Sequence, residues 1–581
     1  MDDIIRLIRY HAVKNALKYG KAKVGPVVSK IIAEKPVLKD RVKELISDVK
    51  RIVEEVNSLD RSSLKDLADE LGVVLEKRRE EEERTWPPLP NADAYEVIVT
   101  RMAPEPNGYP TLGHVKGLLV PFIYARLYKG KFLLRFEDTN PRVEKLEYYD
   151  AIRHELGIIL EAAEEELGLS PGKWDEEIIE SNDIPKMYVY AKKLIEDGNA
   201  YVCTCPAVLV RKNRNLGKEC EHRKHAPEKN LELWEMMLNG GFREGEAHLR
   251  LKTDMCHPNR TMRDPGIFRI VEHPHPIHGD RFRVYPTYDF SISVEDALTG
   301  VTHAHRSKEF EPHVEVQRTI LKMLGLRQYE MIQFGRVTVE GIPLSKRYFR
   351  PLIASGILSG WDDPRLPTIR GILRRGIDPR ALVRFFYNLG PSKADVTISM
   401  NAIFAENRKI LDPVVPRFMF VSNPIKMVLM EVPEELEADI PVHPSKPEMG
   451  IRRIPLKSKG GKIELYISSE DLRQLKEDEE VRLWRLANVK IRSILADEVT
   501  AKYVPSMKTD VKIIHWVPAG DFTPVKLFRP MSVYSYEVIG GYGEPGMREL
   551  SVGDMVQLVR YGFARVDSLK EGTVSLIFSH E

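Results

Sequence analysis

Two hydrophobic rhythms divide this chain of 581 residues. Up to about residue 94, apolar positions recur every three or four residues among charged ones. Ile4, Ile5, Leu7, Ile8, Val13 and Leu17 form one stripe, and Val42, Leu45, Ile46, Val49, Ile52, Val53 and Val56 form a second across Asp40 to Leu59. That spacing predicts amphipathic helices. KRREEEER (77–84) is a charge run, and the proline-rich TWPPLPNAD after it reads as a linker. Beyond it the grammar changes. Tyr95 to Thr100 is an apolar, β-branched run that predicts a buried strand; a Pro/Asn/Gly-rich turn follows, then an amphipathic run closing at Gly130. KFLLRFED (131–138) predicts a second strand, and Glu-rich helical segments cover 144–168 and 183–198. Strands alternating with helices argue for a doubly wound α/β domain. From about 396, short β-branched runs such as FMFVSN, IELYIS, KIIHWVPA and GTVSLIFS alternate with turns and predict antiparallel β, in one or two barrels.

Composition narrows the class. An apolar fraction of 43% is ample for several cores, and this length suits three or four domains. Charged residues are 30% of the chain but the net charge is only +2, so a nucleic-acid surface must come from clustering. The first fifty residues are clustered, with twelve Lys/Arg against six Asp/Glu. No run of eighteen apolar residues occurs, so no membrane span is expected. MDDIIRLIRY lacks a signal peptide's apolar core and cleavage site. Four cysteines in so long a chain make no disulfide framework, and a reducing cytoplasm is the expected compartment.

The chemistry concentrates in the turn after the first strand. A strand feeding a polar turn and a helix N-terminus is an anion site, because the first amides point outward unpaired and the dipole favours phosphate. Arg101, Thr111 and His114 add side chains that bind carboxylate or phosphate. A second concentration lies at VCTCPAVLVRKNRNLGKECEHR, where Cys203, Cys205, Cys220 and His222 make a C-x-C…C-x-H arrangement. Three of the four cysteines fall within eighteen residues. Such a set can close a tetrahedral Zn²⁺ site; the alternative is free reduced thiols in a basic loop.

RMAPEPNGYPTLGHVKG resembles the "HIGH" signature of class I aminoacyl-tRNA synthetases, in the form used by the glutamyl/glutaminyl subfamily. LRFEDTNP (134–141) and VYPTYDFSISVEDALTGVTHAHRSKEF (284–310) are similar to that subfamily's amino-acid site. GIPLSKRYF (341–349) resembles its "KMSKS" loop, and GWDDPRLPTIRGILRRGI (360–377) its stem-contact region. The resemblance covers residues 95 to 581 and implies a multidomain α/β plus all-β architecture. The N-terminal helical module (1–94), read from the stripes, lies outside it. In order, the resemblance implies a Rossmann-like catalytic domain (95–200 and 286–340) split by an acceptor-stem insertion (201–285). The KMSKS loop with a helical stem-contact region (341–395) and anticodon-binding β-barrels (396–581) follow. Two β-barrels in place of a helical anticodon domain point to the archaeal/eukaryotic branch.

The implied reaction is ATP- and Mg²⁺-dependent ligation of glutamate to tRNA(Glu) through glutamyl-adenylate. The acceptor choice stays open between tRNA(Glu) alone and tRNA(Gln) as well. By resemblance His114, Gly113, Ser345 and Lys346 meet ATP. Thr111 stands where the first histidine usually is, and Pro343 replaces the first lysine of the loop, so Arg347 is expected to supply a second charge. Glu137 matches the ammonium-binding acid, and Arg101 and Tyr288 match pocket residues. Arg306 is the discriminating position: a guanidinium there pairs with the γ-carboxylate of glutamate and is poorly matched to an amide. Its bland alternative is a surface ion pair with Glu309. A glutaminyl enzyme and a silent tRNA-binding paralogue are the rival readings. The former is opposed by Arg306, the latter by His114 and Lys346. Some bacterial relatives carry a similar zinc cluster in the insertion, and the basic run from Arg211 to Lys224 fits an acceptor-stem surface. Arg417, Arg482, Trp484, Arg485, Trp516 and Arg529 are candidate anticodon contacts, although a barrel also needs aromatics in its core. The N-terminal module is either a solvated helical hairpin or a docking arm for tRNA or a multi-synthetase partner. A monomer is the expected state.

Overall fold

The computed structural model describes residues 2–19, 21–35, 42–59, 64, 67–68, 70–71, 86–506 and 508–581. The chain divides into two units in sequence, Met1–Pro87 and Pro88–Glu581. Among the described residues no helix is long and apolar enough to cross a membrane.

In the first unit, α1 (Asp2–Tyr19), α2 (Val24–Glu34) and α3 (Val42–Ser58) bury Ile8, Val13, Val27, Ile31, Val49, Ile52 and Val56 together. The stripes at helical spacing turn inward, as a 3.6-residue period requires. The short α2, VGPVVSKIIAE, carries no charged face along most of its length, so periodicity does not announce it. Asn57 ties α3 to the turn before α2, accepting from Ala22 N at 2.7 Å and donating to Ala22 O at 3.0 Å. The unit therefore has its own core. The charge run at 77–84 lies outside the described residues.

Residues 88–94, grouped by composition with the N-terminal module, belong to the second unit. Leu89 is buried there, and His303 Nε2 bonds the carbonyl of Pro90 at 2.8 Å. The first strand, β1 (Val99–Met102), starts four residues later than Tyr95 because its pairing begins where Val99 meets Lys131. It leads through α4 (Leu112–Leu127), β2 (Lys131–Phe136), α5 (Leu146–Leu167) and β3 (Glu176–Ile179) to α6 (Ile184–Glu196). β1, β2 and β3 are parallel neighbours. The chain then leaves this sheet. β4 (Ala200–Cys203), α7 (Ala207–Leu216), α8 (Pro227–Leu238), β5 (His248–Leu251), β6 (Gly266–Ile270) and β7 (Val284–Pro286) build a four-stranded antiparallel sheet in sequence order. Its core is shared with α9 (Tyr288–Leu298), through Trp234, Phe268 and Phe290.

Next, β8 (His303–Ser307), α10 (Val314–Leu324) and β9 (Glu330–Phe334) resume the parallel pattern, with β8 paired to β9. β8 runs beside β1, where Thr302 N donates to Val99 O and Val99 N to Thr302 Oγ1, each at 2.9 Å. The carboxyl ends of these strands therefore open on one side, the place where parallel α/β sheets bind ligands.

β10 (Val337–Val339), α11 (Lys346–Ala354), α12 (Ile369–Arg374), α13 (Pro379–Leu389), β11 (Val396–Ile398) and α14 (Met400–Leu411) complete this part. The β-rich texture expected from 396 starts instead at Arg417, because β11 pairs in parallel with β10 and α14 follows it. Two seven-stranded sheets and one antiparallel pair, Glu435–Pro441 with Ile451–Lys457, then make up most of the rest of the chain. In each seven-stranded sheet, one broken run supplies both edges: Ile513–Ile514 and Trp516–Pro518 in one, Arg417–Phe418 and Phe420–Ser422 in the other. A run that leaves one edge and joins the opposite one closes the sheet into a barrel and removes its free edges.

Gly130 is a packing constraint at the junction of α4 and β2: a Cβ there would stand 2.0 Å from Ile98 O. Gly130→Ala is expected to cost about 1–3 kcal/mol, read as a lower urea midpoint for the second unit. Gly157 on α5 meets nothing within 4 Å, so Gly157→Ala should instead raise the midpoint, by up to about 1 kcal/mol of stability.

Candidate active site

The turn between β1 and α4 sits at the open side of the parallel sheet. Thr111 is the N-cap of α4, and His114 is its third residue. Thr111 N donates to His114 Nδ1 at 3.1 Å and His114 N donates to Thr111 O at 2.8 Å, a reciprocal cap of the helix start. Burial, with the Lys346 cation nearby, pushes His114 down to about 3, so the ring is neutral. An Nδ1 that accepts a hydrogen bond leaves the ring proton on Nε2, available as a donor.

The second loop crosses this turn. Ser345 is the N-cap of α11, and Lys346 follows it. Lys346 Nζ donates to Asn107 Oδ1 at 2.9 Å; Arg350, one helical turn later, donates to Asn107 O at 3.0 Å. A Cβ on Gly108 would come 2.7 Å from Lys346 Cδ, so a larger residue there would displace the outer part of the lysine side chain. Burial lowers Lys346 to about 8, with Arg350 adding to the effect and Glu105 and Glu155 opposing it. Arg347, the expected second charge, is exposed, and Arg350 takes the place beside the turn.

Between these loops and the sheet lies a cavity of about 750 Å³. It brings together Arg101, Thr111, Gly113, His114, Glu137, Tyr288, Arg306 and Ser345, while Lys346 stays outside its lining, turned towards Asn107. Two buried arginines, Arg101 and Arg306, line the cavity, and a third, Arg135, stands behind the lining. Arg101 donates from Nε and Nη2 to the two oxygens of Asp296, at 3.0 and 3.1 Å, and from Nη1 to His305 O at 3.0 Å. Arg135 Nη1 reaches the same carboxylate at 2.6 Å. Burial alone would raise Asp296, yet the two guanidinium groups hold it well below the usual carboxylate range. Arg101 thus lines the cavity with its donors already engaged.

Arg306 is the contrast. It is 5% exposed, its Nη1 bonds Gln317 Oε1, and its Nε and Nη2 have no hydrogen-bond partner among the described residues. Glu309, the surface partner considered from sequence, instead lies 3.7 Å from Arg336. A buried guanidinium with two open N–H groups is a carboxylate receptor. Nearby, burial raises Glu137 to about 7, against the opposing pull of Arg135 and Arg101. The Tyr288 ring packs against Phe310 at 5.1 Å, and burial pushes its hydroxyl well above the ordinary tyrosine range.

Several contributors escape sequence reading. Arg135 is a charge inside an otherwise apolar run, and that mismatch was the available signal; Asp296, next to Glu295 in SVEDAL, carried none. Lys116 is buried in the wall of the cavity with Nζ on Gly335 O at 2.9 Å.

Away from the cavity, beside β4, one ligand atom each from Cys203, Cys205, Cys220 and His222 lie within 4.8 Å of one another. Cys203 Sγ is 3.7 Å from Cys220 Sγ, and His222 Nδ1 is 3.4 Å from Cys205 Sγ and 3.9 Å from Cys220 Sγ. These separations match the edges of a tetrahedron with Zn–S of about 2.3 Å and Zn–N of about 2.0–2.1 Å. His222 Nε2 bonds Thr204 Oγ1 at 2.9 Å, the kind of outer contact that orients a ligating imidazole. In the barrels, Trp516 is a core residue, fully buried with Nε1 on Trp484 O at 2.9 Å, rather than a surface contact. Arg417 pairs with Asp412 at 2.9 Å and Arg529 with Glu537, whereas Arg485 is exposed.

Residues 97–413 match the family model described as tRNA synthetases class I (E and Q), catalytic domain. Residues 415–507 and 513–567 match two anti-codon binding domain models of the same class. The chain belongs to this E and Q family of class I tRNA synthetases. It is 60% identical over 583 residues to a glutamate–tRNA ligase of Korarchaeum cryptofilum, with 100% of both chains covered. It is 39% identical over 601 residues to that of Pyrococcus furiosus and 38% over 590 residues to that of Sulfurisphaera tokodaii, again over the full length of both chains.

His114 should appear in nitrogen-15 spectra as the Nε2–H tautomer, with no titration between about pH 5 and 8. Its folded value of about 3 lies below the ordinary 6.5, so the unfolded chain takes up the proton first. Its contribution to stability is complete above 6.5 and is lost as pH falls towards 3; His114→Gln should flatten that part of an acid-denaturation profile.

Proposed function

We propose that the cavity activates L-glutamate with ATP and Mg²⁺, and that the enzyme transfers the glutamyl group to the 3′ end of tRNA(Glu). The observation that carries this is Arg306, a buried guanidinium with two open N–H groups facing a cavity that also holds Glu137 and the α4 N-terminus. In the first step an α-carboxylate oxygen of glutamate attacks the α-phosphorus of ATP; the bond to the β-phosphate oxygen breaks and pyrophosphate leaves. In the second, a terminal ribose hydroxyl attacks the acyl carbon, loses its proton and releases AMP. The carboxylate nucleophile needs no strong base, so catalysis rests on position and on stabilising phosphate charge. Neutral His114 donates from Nε2 to a phosphate oxygen, Thr111 and Ser345 offer hydroxyls, and Gly113 keeps the wall low. Lys346, released from Asn107, brings a point charge to the leaving pyrophosphate. Glu137 takes the substrate ammonium, whose charge favours the ionised carboxylate, and Tyr288 closes the pocket.

The antiparallel sheet of β4 to β7 is read as the acceptor-stem insertion, α11 to α13 as the stem-contact region, and the two barrels as the anticodon reader. The Cys203, Cys205, Cys220 and His222 cluster is read as a structural Zn²⁺ site of the insertion. The full-length likeness to glutamate–tRNA ligases supports the ligase reading; a cytoplasmic monomer is the state expected with it. The basic N-terminal unit suits a docking role towards tRNA or another synthetase.

The test is aminoacylation with labelled glutamate and, separately, glutamine, on transcripts of tRNA(Glu) and tRNA(Gln). Glutamate alone should be attached, and Arg306→Ala should lose about 2–5 kcal/mol of transition-state stabilisation in kcat/KM for glutamate. Charging of tRNA(Gln) with glutamate would mark a relaxed enzyme. Attachment of glutamine would reverse the role given to Arg306, and no attachment would favour a silent paralogue.

Metal analysis of the purified protein should find about one zinc per chain, lost in Cys220→Ser. A zinc-free wild type with four reactive thiols would refute the metal site.

A further inference from the structure

A second cavity, of about 390 Å³, lies between α7 and the β4–β6 face of the inserted sheet. Arg211 and Arg214 reach it from α7, Arg250 from β5, and Arg260 from the loop before β6. Arg250 is 3% exposed, with Nε on Asp264 O at 3.0 Å and Nη1 3.8 Å from Cys203 Sγ. Its Nη2 is buried with no hydrogen-bond partner among the described residues, and the same holds for Arg214 Nε. The lone carboxylate lining the cavity is already taken: Asp264 accepts from Tyr201 Oη at 2.9 Å, Arg223 Nε at 3.0 Å and Thr253 N at 2.8 Å. Arg211 and Arg260 stand exposed at the rim.

Four guanidinium groups thus line one cavity whose only carboxylate already holds three other donors, and whose one thiol, Cys203, meets Arg250 alone among them. Holding like charges so close, with the buried Arg250 Nη2 and Arg214 Nε unpartnered, is unfavourable unless an anion enters. The forked donors fit the tetrahedral oxygens of phosphate better than a point charge does. We propose that this cavity is a binding site for a single phosphate group. The phosphate can be carried on the backbone or end of an RNA, or arrive as free orthophosphate. The RNA source rests on the tRNA reading above; the pocket itself does not. Its place in the insertion, with no lining residue shared with the cavity that holds Arg306, makes it a docking point for substrate rather than part of the chemistry.

The test uses the full-length, zinc-analysed protein. Orthophosphate is titrated calorimetrically, and tRNA(Glu) affinity is measured across a series of salt concentrations. The probes are Arg211→Gln/Arg260→Gln, which changes exposed residues, and Arg250→Gln. Saturable phosphate binding should weaken at least about tenfold in both, as expected for the loss of roughly 1.4 kcal/mol or more. The slope of log Kd against log salt for tRNA should fall by about 0.7–0.9, the value of one phosphate contact. Loss of phosphate binding with an unchanged slope would assign the site to the free anion. A wild type that binds no phosphate, with variants whose slope is unchanged, would overturn the proposal. A wild type that binds phosphate but no tRNA would sink the tRNA reading and leave the pocket standing.

Discussion

The catalytic half of this protein depends on one carboxylate. Asp296 on α9 is fully buried and takes three guanidinium hydrogen bonds, two from Arg101 on β1 and one from Arg135 on β2. Its partners come from before the inserted sheet of residues 200–286, and Asp296 itself comes from after it. The contact therefore joins two stretches of chain separated by about 160 residues in sequence. Removing one member of so buried a network leaves an uncompensated charge and costs about 3–5 kcal/mol. The same three residues set the electrostatics of the neighbouring cavity, because Arg101 and Arg135 oppose the burial that raises Glu137.

Three buried arginines around one cavity would be redundant if they did the same thing. Arg101 gives Nε, Nη1 and Nη2 to Asp296 and His305. Arg135 and Arg306 each keep Nε and Nη2 without a hydrogen-bond partner, but Arg135 has Asp296, Glu137 and Glu180 within 3.7 Å, whereas Arg306 lines the cavity with no carboxylate at ion-pair distance among the described residues. That difference is what the proposed specificity role of Arg306 rests on. A site built to receive a carboxylate leaves a desolvated charge unpaired when a neutral amide takes its place, so the penalty falls on the wrong substrate. Gln317 engages the remaining Nη1 and, through Nε2, bonds Asp289 at 3.0 Å, which limits the guanidinium's freedom to turn away.

The α11 loop is held by two neighbours at once. Its N-terminal side is tied to Asn107 by Lys346 and Arg350. Phe349 packs with Leu358, Leu366 and Val533, and the hydroxyl of Tyr348 bonds that of Tyr534. Val533 and Tyr534 stand at the tip of a hairpin in the C-terminal region, between Thr523–Pro530 and Tyr536–Gly543, so one short helix touches both this hairpin and the turn between β1 and α4.

The chain's own residues determined much of this. Helical stripes, the alternation of strands and helices, and the late β-branched runs all follow from side-chain period, which is local. The turn from Arg101 to His114, the Lys346 loop and the cysteine cluster were legible because backbone chemistry and ligand spacing are also local. What the stripes could not show is α2, which has little polar face, or that β11 and α14 continue the first architecture past residue 396. Nor could they show which arginine is satisfied: Arg101, Arg135, Arg250 and Arg306 are chemically identical in a string of letters. Only the fold, by bringing Asp296 and Gln317 to some guanidinium donors and nothing to others, decided which charges hold the protein together and which remain to bind a ligand.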